Sequence, residues 1–372
     1  MSTNSGVALL GAGIFAKEAH LPALATLGNA APPLKAVYSR SEKSAQDLAD
    51  AAKAALNSVP DVYYDANVNS NLDTLLARSD ISAVIIALPI TLQPSIVIKA
   101  LAAGKHVISE KPVAPDVKGG RELIKTYNEV YKPRGLVWRI AENFEAEPGY
   151  RAVGAAIRGG KIGDVIFFKT VVVNNIDKES KWYKTPWRTI PDYQGGFLLD
   201  GGVHFVAALR VMLSRPLTQV SSFASLNKEY LKPHDTIHAI VKAGDNITGT
   251  AELTWAFPTA ARPQADTWVI TGSDGWIAVN HVYRPNAPAV IRVVTKSLVK
   301  HEGKPDEEKE EVLEIPSEGI AAELKSFFGA IVGQDDGLGL GDPQAALSDV
   351  AFIEAALNSD GQVVDLIKLV DG

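Results

Sequence analysis

No cysteine occurs among the 372 residues of the chain. Disulfides, thiolate zinc sites and a cysteine nucleophile are thereby excluded together, and the composition suits a reducing compartment. Long apolar runs are missing too: the longest, Ile81 to Ile90, falls well short of the roughly 20 residues that span a bilayer. Met1 to Gly6 is short and polar, with no cationic segment leading into an apolar one, so neither a secretory signal nor a membrane association is expected, and the expected location is cytoplasmic. A basic excess is likewise lacking. Against 37 Lys and Arg stand 43 Asp and Glu, a net charge of −6, which gives no overall attraction for nucleic acid. There is no His-Glu-x-x-His run, and the seven histidines show no ligand spacing, so no metal is expected.

What is present is a chain that is 46% hydrophobic and long enough for two domains. Val7 to Leu10 is a short apolar run followed at once by Gly11-Ala12-Gly13-Ile14-Phe15-Ala16, and then by helical spacing through Leu21, Leu24 and Leu27. This is strand, glycine turn and helix, the context in which a Gly-x-Gly-x-x-Gly/Ala match signifies dinucleotide binding. Gly11 permits the turn, Gly13 lets the backbone approach a pyrophosphate, and Ala16 lets helix and strand pack closely. Gly11, Gly13, Ile14 and Phe15 are therefore expected to bind the cofactor. The next strand ends in Ser39-Arg40-Ser41, where an NAD site usually carries an acidic residue. Ser39 and Arg40 suit a 2′-phosphate instead, so NADP is expected and NAD less so; the alternative is that Arg40 is a solvated residue closing the strand. Further strand and helix units follow, with Leu88 closing one strand and Gln93 on the next helix placed to face the cofactor. Six strands alternating with helices define an α/β Rossmann domain, a doubly wound parallel sheet, over residues 1–141.

The last of these strands but one leads into Ser109-Glu110-Lys111-Pro112. Open α/β sheets bind ligands at this rim, so Lys111 is either the pivot of an active site or a surface lysine paired with Glu110. From Asn143 onward the pattern changes to grouped strands, the mark of an α+β domain with an open, predominantly antiparallel sheet over residues 142–372, its last helix packing back on the first domain. His301 to Glu311, rich in Glu and Lys, is expected to be a solvated loop. Asp200 is expected to cap a helix carrying His204 within one turn, with Gly201 and Gly202 in the first turn to admit a ligand. The helix N-terminus favours a neutral imidazole there and Asp200 favours the cation. Upstream, Lys181 to Arg188 holds two tryptophans and a tyrosine. Such a loop suits either a sugar face or a protein interface, with Trp187 and Arg188 the cleft candidates.

Several of these motifs together carry a resemblance. The glycine turn with His20-Leu21-Pro22, Ala102 to Val107 leading into Glu110-Lys111-Pro112, and Gly195 to His204 with an aspartate four residues before a histidine resemble the Gfo/Idh/MocA oxidoreductases over nearly the whole chain. The resemblance implies that Lys111, Asp200 and His204 form the catalytic set. Glu110, Lys111, Leu88, Gln93 and Asn143 are expected to join the cofactor site, and Lys111, Trp187, Arg188, Asp200 and His204 to meet the substrate. Ala207 stands where many relatives carry an acidic residue, which bears on substrate contacts. It further implies an open sheet face used to form a homodimer or higher homo-oligomer. The expected function is NADP-dependent hydride transfer with a secondary alcohol or hemiacetal of a sugar or polyol, an ammonium from one half and an imidazole from the other flanking one nicotinamide. A carbonyl or dihydrodiol reductase is the alternative within enzymes, and a non-catalytic NADP-binding regulator the alternative outside them.

Overall fold

The structure, a computed structural model, describes residues 5–261, 267–284, 287–301 and 305–372. The chain divides into two compact units, one formed by Met1–Asn143 with Ile320–Leu347 and the other by Phe144–Gly319 with Ser348–Gly372.

In the first unit β1 (Gly6–Leu10), β2 (Leu34–Ser39), β3 (Asp61–Tyr64), β4 (Ile81–Ile86), β5 (His106–Glu110) and β6 (Trp138–Ala141) form a six-stranded sheet in the order β3-β2-β1-β4-β5-β6. Every pairing is parallel, which is why the inner strands are apolar on both faces rather than alternating. The order in which successive strands are added reverses between β1 and β4, the position at which doubly wound sheets open a crevice beyond their carboxyl ends. On one face Val7, Leu9, Val37, Ile85 and Ile108 pack with Leu24, Leu48, Leu324 and Phe327. The segment from Ile320 belongs here because it fills this core, and because Arg139 on β6 donates to Ser326 Oγ and to the Leu340 carbonyl.

In the second unit β7 (Val165–Val173), β8 (Leu217–Ser225), β9 (Thr236–Ala243), β10 (Ile247–Thr254), β11 (Thr267–Gly272), β12 (Gly275–Arg284), β13 (Ala287–Val299), β14 (Glu307–Pro316) and β15 (Val364–Asp365) make a nine-stranded sheet ordered β14-β13-β12-β11-β7-β10-β9-β8-β15. Only the β7/β10 pairing is parallel, so the sheet is predominantly antiparallel as expected. The helix Phe197–Leu213 is buried along most of its length and packs on the helix Pro148–Arg158. Gly154 makes that approach possible: a Cβ there would stand 2.6 Å from the Val211 carbonyl oxygen.

One expectation fails in this unit. The charged stretch is not a loop throughout: residues 302–304 lie outside the described residues, but from Glu307 the chain is strand β14, paired in register with β13. Its charge has a different cause. β14 is an edge strand, and edge strands are protected from pairing with foreign strands by charged side chains. Lys296 on β13 pairs with Glu308 at 2.7 Å, and Lys161 with Glu311 at 2.6 Å.

Candidate functional site

In the first unit the parallel topology collects the cofactor candidates at one rim, beyond the carboxyl ends of the strands: Gly11 to Phe15 after β1, Ser39 and Arg40 at the end of β2, Leu88 and Gln93 after β4, Glu110 and Lys111 at the end of β5, and Asn143 after β6. The two turn glycines are required for different reasons. Gly11 sits at φ +114, and a Cβ there would meet the Ala87 carbonyl oxygen at 2.1 Å; a Cβ on Gly13 would meet nothing within 4 Å. The fold itself thus demands Gly11, whereas the space beside Gly13 is what a closely approaching pyrophosphate needs. Gln93 is 2% exposed, and neither its side-chain nitrogen nor its oxygen has a hydrogen-bond partner among the described residues. A buried amide left this way costs about 1–3 kcal/mol, so a polar ligand at the rim is the natural recipient of its bonds. These residues fit a nicotinamide dinucleotide. Arg40 is exposed beside Ser41, which caps the helix Glu42–Leu56 by accepting from Ser44 N. The nearby carboxylate of Asp65 is engaged by the Tyr38 hydroxyl at 2.5 Å.

The tetrad is braced from two sides. The Trp138 indole on β6 donates to Ser109 Oγ at 3.1 Å, and His20 Nε2 lies 2.7 Å from Glu110 Oε1. Lys111 follows, half-buried, with a cis peptide bond to Pro112. Among the described residues no group of acidic or histidine side chains is disposed to hold a metal ion, and no helix is long and apolar enough to cross a membrane.

In the second unit two expectations are corrected. The helix begins at Phe197 with Gly196 at its N-cap, so Asp200 is not the cap but lies in the first turn, 6% exposed. Its carboxylate instead receives the Arg188 Nε at 2.6 Å. Gly201 and Gly202 are not in the first turn either, and packing within the unit accounts for them. A Cβ on Gly201 would stand 2.8 Å from the Trp255 ring, and one on Gly202 2.9 Å from Ile353 Cδ1. We expect Gly201→Ala to lower stability by about 1–3 kcal/mol through overpacking, read as a lowered midpoint in chemical denaturation; an unchanged midpoint would show that Trp255 yields.

Arg188, from the short helix Pro186–Thr189, lies over two rings as well as being paired. Its guanidinium carbon lies 4.0 Å from the Trp187 ring centre and 5.2 Å from that of Trp182. Tyr193, which the sequence reading passed over, joins this group: its ring is 5.9 Å from Trp187. Burial, and next the charge of Asp200, hold its phenol protonated well above the usual range, leaving it a donor. One turn after Asp200, His204 stacks on Phe144 with ring centres 4.9 Å apart at 28°. Phe144 in turn lies 5.8 Å from His281, which stacks on Tyr283 at 4.5 Å. Burial pushes the His281 pKa down to about 4, so this second imidazole is neutral at neutral pH. The second unit therefore brings Asp200, Arg188, Trp187 and His204 onto one helix start and its adjoining loop. His281 and Tyr283 carry no local motif that would have marked them.

A family model described as the oxidoreductase family, NAD-binding Rossmann fold, matches residues 5–133, and one described as the GFO/IDH/MocA C-terminal domain matches residues 150–278. Dehydrogenase FPY6 of Fusarium mangiferae is 38% identical over 360 residues, 95% of this chain and 96% of that protein. The dTDP-3,4-didehydro-2,6-dideoxy-alpha-D-glucose 3-reductase of Streptomyces violaceoruber is 27% identical over 98% of this chain and 96% of its own length. Among solved structures, an oxidoreductase from Thermotoga maritima superposes with a TM-score of 0.81 at 27% identity, covering 98% of this chain and 99% of that one. With both halves matched and one dehydrogenase similar nearly end to end, the chain belongs to the Gfo/Idh/MocA family of oxidoreductases, its first unit an NAD(P)-binding Rossmann fold.

Proposed function

We propose that this protein is an NADP-dependent dehydrogenase or reductase that interconverts a secondary alcohol or hemiacetal of a sugar or polyol with its carbonyl form. The observation that carries the reading is the placement, within one helical turn of each other, of a buried carboxylate held by Arg188 and an imidazole stacked on Phe144. Such a pair is equipped to move a proton. The aromatic and guanidinium groups beside it suit an amphipathic ring whose C–H face packs on indoles while its hydroxyls find polar partners. The dTDP-sugar reductase similar to this chain supports a sugar-derived substrate.

A bound nicotinamide would supply hydride exchange with the substrate carbon. In the oxidative direction His204 takes the hydroxyl proton, and in the reductive direction it returns it. Lys111 donates a hydrogen bond to the same oxygen and stabilises the charge that develops there. Asp200, held by Arg188, orients His204 or a neighbouring hydroxyl. Following cofactor absorbance while the protein is incubated with sugars, polyols, diols and sugar nucleotides tests the reading. Turnover with any of them supports it, and tight NADP binding with no turnover across the panel would favour a non-catalytic sensor.

The choice of NADP rests on Ser39, Arg40 and Ser41 at the end of β2, where the sequence carries no acidic residue for a ribose 2′-hydroxyl, while Asp65 accepts from the Tyr38 hydroxyl. A charge-assisted bond from Arg40 to a 2′-phosphate contributes about 1.5–3 kcal/mol. Arg40→Ala should therefore raise the KM for NADP by about 10- to 100-fold and leave that for NAD nearly unchanged. Equal changes for both cofactors would assign Arg40 to the solvent.

A further inference from the structure

We propose that Gln93 recognises the carboxamide of the nicotinamide ring, amide against amide; this rests on the nicotinamide cofactor given to the first unit and deepens that reading. Gln93 opens the helix Gln93–Ala102, which packs on β4 and β5 and whose other buried positions are Val97, Ala100 and Leu101. Spacings of four, seven and eight residues from Gln93 put all of them on one face, the apolar stripe by which a helix packs on its sheet. The first position of that stripe holds an amide. It is 2% exposed, and neither Nε2 nor Oε1 has a hydrogen-bond partner among the described residues. A leucine or methionine would fill the same position without leaving a donor and an acceptor unmet, a state that destabilises the cofactor-free fold. An amide there is explained by a ligand that uses both of its ends at once.

The sheet order says which part of a dinucleotide that is. The glycine turn after β1 takes the pyrophosphate, and β2, on one side of β1, ends where the adenosine ribose is read. β4 lies on the other side of β1, so the helix that follows it borders the nicotinamide half. That half offers ribose hydroxyls and the carboxamide of the ring. The hydroxyls rotate, and water at the rim serves them. The carboxamide is flat and belongs to the ring that is shielded from water for hydride transfer. It carries an acceptor beside its donors, and a second primary amide is its complement, with an N–H of each donating to the oxygen of the other. Such a pair satisfies both orphaned atoms of Gln93 in a single contact and holds the ring against rotation about its glycosidic bond.

The test uses cofactor analogues in which an acetyl group replaces the carboxamide, so that a methyl stands where the amino group was. Calorimetric titration of the whole protein should show 3-acetylpyridine adenine dinucleotide phosphate binding about 10- to 100-fold more weakly than NADP, because Oε1 is then buried against a methyl. In Gln93→Met, similar in length and apolar, NADP should weaken by about the same factor. The two cofactors should then bind within about threefold of each other. Without cofactor, Gln93→Met should melt about 2–6 °C above the unmodified protein, whereas loss of an amide that held the fold together would lower the melting temperature. Gln93→Leu takes its place should the methionine variant not fold. Equal affinity of the unmodified protein for both cofactors overturns the proposal. So does discrimination that survives in the apolar variant, or a lower melting temperature of its cofactor-free form. If NAD is bound in place of NADP, the functional reading loses its cofactor, while the same comparison of NAD with its acetylpyridine analogue still decides the role of Gln93.

Discussion

Lys111→Ala and His204→Ala are each expected to lower turnover by about 10²- to 10⁴-fold, the range contributed by a positioned general acid or base, while NADP continues to bind. Lys111 follows directly on β5 at the rim that also carries the glycine turn and Gln93. In the proposed role, alanine there removes a charge-assisted donor from the reacting oxygen. His204 is one turn along its helix from Asp200 and packs against Phe144. Alanine there removes the proposed proton carrier and, with it, one face of a ring stack, so a modest loss of stability should accompany the loss of rate. Both residues are only half-buried, so neither variant should unfold. The measurement is steady-state kinetics beside a direct cofactor titration. If kcat falls while cofactor affinity is kept, the interaction lost belongs to the transition state. Either variant turning over at the wild-type rate would remove the role assigned to that residue, and loss of NADP affinity in Lys111→Ala would recast it as a cofactor ligand.

The second large effect concerns stability. Arg210→Met should destabilise the second unit by about 3–5 kcal/mol, the usual consequence of removing one member of a buried ion network. Arg210 donates to both oxygens of Asp349 at 3.0 Å and to Glu145 at 3.4 Å, with the two carboxylates almost wholly buried. Burial alone would push the guanidinium pKa down. Asp349 and Glu145 together more than offset that, and it lies above its ordinary value. With methionine in its place, two desolvated carboxylates lose the cation they share. Replacing all three by apolar residues should recover most of the loss, because paired desolvation is then avoided altogether. Chemical denaturation followed by a probe confined to the second unit, such as Trp255 or Trp268 fluorescence, reads the effect, since a chain of two units need not unfold in one step. A triple variant no more stable than Arg210→Met would show that shape, rather than charge, sets the cost.

The same contrast between local and distant causes explains what could be read from the chain before its structure. The first unit was legible because its determinants are local. Strands covered on both faces must be continuous apolar runs, and a turn whose Gly11 stands 2.1 Å, at its would-be Cβ, from a neighbouring carbonyl admits no other residue. The helix at Phe197 was harder to bound. Its first turn is itself apolar, and glycines at 201 and 202 imitate the flexible start that they do not form. Periodicity cannot tell a glycine that admits a ligand from one that admits Trp255. Nor can composition tell a solvated loop from an edge strand such as β14, since both are kept polar, one by exposure and the other to forbid foreign pairing.

From the sequence alone came the cofactor class, the two-part architecture and the candidate polar residues, because each is read from side chains within a few positions of one another. Tertiary structure alone decided who holds them. Asp200 is held by Arg188, twelve residues away, and Glu110 by His20, ninety residues away. Arg210 answers to Asp349, 139 residues further on. Partners so far apart meet only when distant segments pack together, and desolvation on packing is what makes each of these pairings matter energetically.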